Sequence, residues 1–215
     1  MVRLIDMDNW DRREYYEHYM HAVRCSYSMT VQLDITELLA VVKGKVSLYP
    51  VMIYLLSVLV NRHEEFLYTV KEGKVGVYDS LHPSYTIFHK EDQTFSCIWT
   101  RYEEAFAAFH RAYREDVETY QNKRGLFPKP DRPENSFDIS CVPWTHFEGF
   151  NLNVYDEGTY LAPIFTIGKF ITEGDKVRLP LAVQFHHAVC DGFHACRLVN
   201  ELQEMCWHAK EILHI

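Results

Sequence analysis

The chain has 215 residues and a net charge of −8, with 47% hydrophobic and 24% charged residues. This length suffices for one domain with a substantial core, so we predict a single domain over residues 1–215. No basic block offsets the acidic balance, which argues against a nucleic-acid partner. The aromatic content of 14% is high and fits a large core or a pocket for a flat apolar ligand.

In chain order, the first half combines helical and extended patterns. They predict a helix at Trp10–His21, a strand at Ser26–Leu33, a helix capped by Asp34 and Thr36 that runs through Val42, a buried helix from Pro50 to Arg62, a hairpin of Phe66–Val70 and Val75–Asp79, strands at Tyr85–Lys90 and Thr94–Trp99, and a helix at Tyr102–Tyr120. The evidence is apolar spacing, capping residues and the Glu72-Gly73 turn signal.

The second half is richer in strands and ends in a helix. Strands are predicted at Phe137–Val142, Phe147–Val154, Ile164–Phe170 and Val177–His187, and a helix at Gly192–Lys210 with an apolar stripe of Cys196, Val199, Leu202 and Cys206. In the last strand, Leu181, Val183, Phe185 and His187 share one face. Because helices and strands mix without strict alternation, we predict an α/β fold, a two-layer sandwich with a large mixed sheet and helices packed on it.

Cellular location is predicted from two segments. The start, MVRLIDMDNW, lacks the apolar core of a signal peptide, and the most apolar run, Tyr49–Val60, is too short to cross a bilayer. A cytoplasmic protein without a membrane partner is therefore expected. The six cysteines form no CxxC pair, so we expect reduced thiols.

The run HHAVCDGFH, residues 186–194, lies where the last strand gives way to the last helix. A histidine there can accept a proton near neutral pH. Asp191 can cap the helix or anchor an arginine. Spacing alone leaves three interpretations open: a satisfied pair of core histidines, a catalytic base, and a zinc site, which lacks the usual regular ligand spacing.

The longer run QFHHAVCDGFH, residues 184–194, resembles the active-site signature of the chloramphenicol acetyltransferases. A looser HHxxxDG form occurs in dihydrolipoyl acyltransferase cores. Further blocks match the former family in order: NWDRREYYEHY, TVQLDIT, YPVMIY, YTIFH, FNLNV, PIFTIGKF and NELQE. The resemblance extends from Trp10 to about Met205 and implies the CoA-dependent acyltransferase fold.

The resemblance implies catalytic and supporting roles for five residues. His187 would be the general base that takes the proton from the 3-hydroxyl of chloramphenicol, which attacks acetyl-CoA directly, with no acetyl-enzyme. A hydrogen bond to its own backbone carbonyl would hold the His187 tautomer. Ser140 would stabilise the oxyanion and Thr166 would order a water there. Asp191 would form a buried, structural ion pair with Arg12, worth about 3–5 kcal/mol.

The resemblance also implies binding residues and partners. Acetyl-CoA would be a co-substrate near Lys169 and Phe170, with no permanently bound cofactor and no metal. The family is trimeric, with active sites at subunit interfaces. The chloramphenicol pocket would be lined by Tyr19, Tyr27, Phe95, Phe127, Phe150, Leu152, Val154, Tyr160 and Ile164. Departures from the family pattern include Phe185, Phe170 and Asp138, which stands two residues before Ser140 at a variable pocket position.

Three alternatives remain at this stage. A dihydrolipoyl acyltransferase core would share the acyl chemistry, but no lipoyl domain or Ala/Pro-rich linker precedes Trp10. An acetyltransferase for another alcohol would keep the same residues. A catalytically dead relative would be expected to lose His187, Ser140 or Thr166, and all three are present.

Overall fold

In this computed structural model, which describes residues 1–152, 154 and 159–215, a seven-stranded mixed sheet carries the helices. Its strands run in the order β2-β10-β8-β7-β5-β6, and β9 pairs with β10. β7 is parallel to β5 and β8, and the other pairs are antiparallel. A smaller sheet has the order β1-β4-β3. The predicted α/β class with a large mixed sheet is confirmed.

The strands and helices have the following bounds. The strands are β1 Val2–Leu4, β2 Ser26–Asp34, β3 Tyr68–Lys71, β4 Lys74–Tyr78, β5 His82–His89, β6 Thr94–Trp99, β7 Ser136–Val142, β8 Ile164–Gly168, β9 Ile171–Glu173 and β10 Lys176–His186. The helices are α1 Arg13–Glu17, α2 Thr36–Val42, α3 Leu48–Arg62, α4 Phe106–Tyr120, α5 Gly192–Trp207 and α6 Ala209–Leu213.

Burial of apolar faces accounts for most of this arrangement. Helix α3 buries nearly its whole circumference, including Val51, Ile53 and Leu56 at 0% exposure, as expected for a helix in the centre of a core. Strand β10 buries Leu181, Val183 and Phe185 on the predicted face. The β3–β4 turn places Glu72 and Gly73 at positive φ, which is typical of a tight hairpin.

Four predictions about secondary structure need correction, and one is that the helix predicted to begin at Tyr102 begins at Phe106. The first helix begins at Arg13 and ends in a π-helical turn, His18–Ala22. The last helix breaks at His208, and its buried stripe is displaced from the predicted one, so that Cys196 is exposed. Its buried residues are Ala195, Leu198, Leu202, Met205 and Cys206.

The strand predicted at Phe147–Val154 is absent from the described residues of that segment, and Asn153 lies outside them. The backbone there bonds to side chains of β2 instead of joining a ladder. Gln32 Nε2 donates to the Phe147 carbonyl at 3.0 Å, and the Phe150 N–H donates to Thr30 Oγ1 at 3.2 Å.

Candidate active site

His187 directly follows the last residue of β10. Its backbone N–H donates to the Cys25 carbonyl at 2.9 Å, which extends the antiparallel pairing of His186 with Ser26 by one residue. Its ring stacks on Tyr19, with centroids 4.1 Å apart and planes 7° from parallel, and meets the Tyr27 ring at 5.4 Å. The side chain is 30% exposed, so Tyr19 covers one face of the imidazole while part of the ring remains accessible to a ligand.

Arg12 ties the segment after β10 to the N-terminal helix. Its guanidinium donates to both carboxylate oxygens of Asp191, at 2.7 and 2.6 Å, and to the carbonyls of Ala188 and His187, at 2.9 and 3.1 Å. Such a planar fork suits bidentate pairing. We call this group, with Tyr19 and Tyr27, the histidine corner.

The ion pair is less buried than the sequence predicts, because the Asp191 side chain is 35% exposed and that of Arg12 is 15% exposed. The hydrogen bonds from Arg12 hold the pKa of the Asp191 carboxyl below its usual value. Asp191 is also the N-cap residue of α5, and its N–H donates to His194 Nδ1 at 3.0 Å. Burial lowers the pKa of His194, which keeps that nitrogen available as an acceptor.

The tautomer of His187 depends on Nδ1, which is buried and makes no hydrogen bond to another described residue. Asp191 Oδ1 lies 3.3 Å from it. The carbonyl of His187, the predicted partner, accepts from Arg12 Nη2. Burial raises the pKa of the Tyr27 phenol, so the ring beside His187 is neutral. The hydrogen bond that selects the tautomer stays a prediction.

Ser140 and Thr166 are directly paired across the parallel strands β7 and β8. Their hydroxyl oxygens lie 2.8 Å apart, and Thr166 is 2% exposed. Because a hydroxyl both donates and accepts, one of the two can point its proton outward while accepting from the other. The pair can therefore present a donor to a developing negative charge.

Ser140 opens into a pocket of about 340 Å³ on the sheet, which we call the sheet pocket. Its apolar walls include five residues predicted from the sequence: Phe95, Leu152, Val154, Tyr160 and Ile164. Phe150, Leu152, Ile164 and Thr166 line a narrow adjoining cleft. An apolar cavity with a few polar groups is the usual form of a small-molecule site.

The sheet pocket also contains residues that the sequence prediction missed. Ser84, Thr86 and Cys97 lie on its floor beside Asp138 and Ser140. The available signal was the alternation of β5, where Ser84 and Thr86 share a parity while Tyr85 is fully buried on the other face.

Three predicted binding residues lie outside both groups. Phe127 is 54% exposed and packs under the Arg132 guanidinium, with 5.6 Å between the guanidinium carbon and the ring centroid. Lys169 and Phe170 follow β8, and Phe170 is 41% exposed. The Lys169 N–H donates to the Thr145 carbonyl at 3.0 Å.

The histidine corner and the sheet pocket are far apart within one chain. Strand register aligns Ser140 with Thr166 and Thr166 with Ala182, and His187 lies five residues beyond Ala182. At ~3.3 Å per residue and ~4.8 Å per strand, the separation between Ser140 and His187 is roughly 19 Å. A separation of about this size exceeds the combined reach of a serine and a histidine side chain toward one reacting atom.

The described residues contain no group of three or more His, Cys, Asp or Glu side chains arranged to hold a metal ion. In the same part of the chain, no helix has the length and apolar character needed to span a bilayer.

Comparison with known proteins decides the family. The family model for chloramphenicol acetyltransferase matches residues 1–203. This chain belongs to the chloramphenicol acetyltransferase family. A chloramphenicol acetyltransferase of Clostridium butyricum is 48% identical over 212 residues, which cover 98% of this chain and 97% of the relative. One from Clostridium perfringens is 50% identical over 204 residues, covering 94% and 93% respectively.

A solved structure of a chloramphenicol acetyltransferase supports the fold assignment. It has a TM-score of 0.86 at 21% identity and covers 96% of this chain and all of that one. The catalytic interpretation of the HHAVCDGFH run stays a prediction.

Proposed function

We propose that this protein transfers the acetyl group of acetyl-CoA to the 3-hydroxyl of chloramphenicol and so inactivates the antibiotic. The observation that carries this proposal is the 48–50% identity to curated chloramphenicol acetyltransferases over nearly the whole of both chains. The apolar sheet pocket beside Ser140 supports an aromatic acceptor.

In the proposed reaction, His187 accepts the proton of the 3-hydroxyl as the oxygen attacks the thioester carbonyl. Ser140, supported by Thr166, donates a hydrogen bond to the oxyanion that forms. Collapse of the tetrahedral intermediate forms the ester and expels the CoA thiolate, which takes the proton from the imidazolium. Removing one such oxyanion donor typically lowers the rate by ~10²–10³-fold.

The remaining assignments are proposals with their own support. Tyr19 and Tyr27 would hold the His187 ring by the contacts given above. Phe95, Phe150, Leu152, Val154, Tyr160 and Ile164 would contact chloramphenicol, as would Phe127. Lys169 and the exposed ring of Phe170 would contact acetyl-CoA, a co-substrate.

The Arg12–Asp191 pair would keep the segment after β10 in place. Location in the cytoplasm stays a prediction.

We also propose that the active site forms between chains of a homotrimer, with His187 of one chain facing the sheet pocket of the next. The separation of roughly 19 Å between His187 and Ser140 in one chain supports this, because both must lie within hydrogen-bond reach of one reacting centre.

A thiol-release assay with acetyl-CoA and chloramphenicol tests the activity. The wild type should turn over, His187→Ala should lose several orders of magnitude in kcat, and the exposed His208→Ala should match the wild type. Turnover of another alcohol but not of chloramphenicol would keep the acyl chemistry and reject the substrate.

Co-expression of His187→Ala with Ser140→Ala tests the shared site. If the site lies between chains, some interfaces of the mixed oligomer combine an intact His187 with an intact Ser140, and activity returns. A site within one chain would leave the mixture as inactive as the separate variants.

The dihydrolipoyl acyltransferase alternative is not favoured, since the curated relatives at this identity are named chloramphenicol acetyltransferase.

A further inference from the structure

The connection between α4 and β7, residues 121–135, carries an apolar ring that the fold of one chain leaves uncovered. The connection forms no helix or strand, and Phe127 in its middle is 54% exposed. A single exposed apolar side chain is ordinary. Phe127 differs from such a side chain because buried polar groups fix the backbone on both sides of it.

Lys129 fixes the side after Phe127. Its ammonium pairs with Asp116 of α4, and the two side chains are only 13% and 17% exposed. The same ammonium donates to the Trp99 carbonyl at 2.9 Å and lies 4.0 Å from the centroid of the Trp99 ring. Trp99 Nε1 donates in return to the Pro130 carbonyl at 3.2 Å. Since lysine is rarely buried unless it is paired, these contacts determine where Lys129 and Pro130 lie.

Asp116 is in turn supported from the sheet. Its Oδ2 accepts from Thr100 Oγ1 at 2.8 Å. Because the Thr100 hydroxyl donates to Asp116, the Tyr85 hydroxyl, 2.7 Å away, donates to Thr100. Tyr85 and Thr100 are both 0% exposed, and burial raises the pKa of Tyr85 well above its ordinary value, so its proton stays in place. The ammonium of Lys129 thus completes a buried chain that begins in β5.

Ser96 and Cys97 of β6 fix the side before Phe127. β6 lies at the edge of the large sheet, so the backbone of the connection can bond to it. The Cys97 N–H donates to the Leu126 carbonyl at 2.7 Å. Ser96 is 0% exposed, and its Oγ donates to the Gly125 carbonyl at 2.6 Å.

His89 orients the Ser96 hydroxyl. The Nδ1 atom of His89 lies 2.8 Å from Arg124 Nη1, which can only donate, so the ring proton is on Nε2. Nε2 then donates to Ser96 Oγ at 2.7 Å. Because His89 is 3% exposed, little water competes for these bonds, and the Ser96 proton is directed at the Gly125 carbonyl.

The connection adjoins the sheet pocket at two points. Cys97, which binds the Leu126 carbonyl, lines that pocket, and so does Asp138. Arg132 links Asp138 to Phe127, because its Nη2 donates to Asp138 Oδ1 at 2.7 Å and its guanidinium carbon lies 5.6 Å from the ring centroid of Phe127. Ordering a segment costs conformational entropy, and a side chain that is already fixed loses little more when a ligand binds.

We propose that Lys129 and Ser96 are positioning residues that hold Phe127 where its ring contacts the aromatic acceptor. They act through the backbone of the connection and so lower the KM for chloramphenicol. This inference rests on the proposed function, because Phe127 can reach the acceptor only if the acceptor binds in the sheet pocket.

Steady-state kinetics separate positioning from general support of the fold. Lys129→Met keeps a long side chain and removes the charge. It should raise the KM for chloramphenicol by about 2- to 10-fold, the effect of freeing one aromatic side chain, and leave kcat and the KM for acetyl-CoA unchanged. Ser96→Ala should do the same. Lys71→Met is the matched control, because Lys71 pairs with Glu134 of the same connection but is 48% exposed.

A double-variant cycle with Phe127→Ala shows whether the effect passes through that ring. If it does, Lys129→Met should add nothing to the KM of Phe127→Ala. An additive effect would overturn the positioning role, as would an equal rise in the KM values of both substrates. If Lys129→Met alone does not fold, adding Asp116→Asn removes the unpaired buried charge, and the cycle is run with that pair of substitutions.

Limited digestion with trypsin measures the order of the connection without a substrate. Cleavage after Lys123 or Arg124 should be severalfold faster in Lys129→Met and in Ser96→Ala than in the wild type. Cleavage after the exposed Lys43, in the connection between α2 and α3, should not change. Equal cleavage rates after Lys123 and Arg124 in all three proteins would overturn the proposal.

The results distinguish the positioning role from the proposed function. A wild type that acetylates chloramphenicol, with the same KM in both variants, would overturn the positioning role alone. A wild type that does not acetylate chloramphenicol would reject the proposed function. Calorimetric binding of chloramphenicol then decides the positioning role, which is overturned if the wild type and Lys129→Met show no difference in Kd.

Discussion

Tyr19 and His187 form a face-to-face stack, with ring centroids 4.1 Å apart and planes 7° from parallel. Tyr19 belongs to the π-helical turn after α1, whereas His187 follows β10, so the stack joins segments that are distant in sequence. The contact restricts rotation of the imidazole about its side-chain bonds. It therefore complements Arg12, which holds the backbone carbonyl of the same residue.

Removing the Tyr19 ring should reduce turnover. An aromatic pair is worth about 0.5–1.5 kcal/mol, which corresponds to a loss in kcat of up to about tenfold if the ring orients the base. Tyr19→Ala should show this loss at saturating chloramphenicol. Tyr19→Phe keeps the stacking ring and should retain near-normal kcat. An equal loss in both variants would point to the hydroxyl instead of the stack.

The Arg12–Asp191 pair should contribute measurably to the free energy of unfolding. Charged hydrogen bonds are worth about 1.5–3 kcal/mol, and exposure of the Asp191 side chain reduces this. We expect Asp191→Asn to lower the free energy of unfolding by about 1–2 kcal/mol in urea titrations. Asp8→Asn, which removes an exposed partner of Arg13, should change it little. A loss as small as in that control would show that the pair is solvated.

The same pair predicts a pH dependence with a definite sign. In the folded protein the pKa of Asp191 lies below its ordinary value of 3.8, so the unfolded chain binds the proton more readily. The ionised Asp191 therefore contributes its full stabilisation at pH values above 3.8, the pKa in the unfolded chain. This stabilisation is lost as the pH falls through the lower pKa of the folded protein. The stability difference between wild type and Asp191→Asn should be constant from pH ~7 to ~5 and shrink below ~4. A difference that grew on acidification would contradict the assigned direction.

Most regular elements could be predicted because local patterns decide them. The alternation of Leu181, Val183 and Phe185 predicts β10, and the continuous apolar run of α3 predicts a buried helix. The segment after Phe147 could not be predicted in this way. Its aromatic residues suit a strand, but its backbone bonds to Thr30 and Gln32 side chains, which depends on tertiary packing.

The site was only partly accessible from sequence for a similar reason. A family resemblance points to His187, Ser140 and Thr166. The distance between His187 and Ser140 becomes visible only from the strand pairing in the structure. Ser84 is distinguished by the absence of a partner for its hydroxyl among the described residues. No sequence pattern reports an unsatisfied atom, so this residue emerges only from three-dimensional packing.

Gly168 at the end of β8 offers a test of packing next to the candidate active site. A Cβ at this position would lie 2.6 Å from Phe147 Cε1 and 2.6 Å from Pro180 Cγ, too close for either to remain in place. Overpacking of this kind costs about 1–3 kcal/mol. We expect Gly168→Ala to lower the free energy of unfolding by that amount. Since Thr166 lies two residues away on the same face, the displacement should also lower kcat.

Gly149→Ala is the matched control, because a Cβ there meets no atom within 4 Å and the residue has no left-handed φ. Urea unfolding and thiol release should be measured on both variants under the same conditions. Gly149→Ala should resemble the wild type in both assays. Full stability of Gly168→Ala would contradict this prediction, because it would mean that Phe147 moves away from β8 without a cost in free energy. Hydrogen bonds from Gln32 and to Thr30, and not packing on β8, would then hold the segment after Phe147.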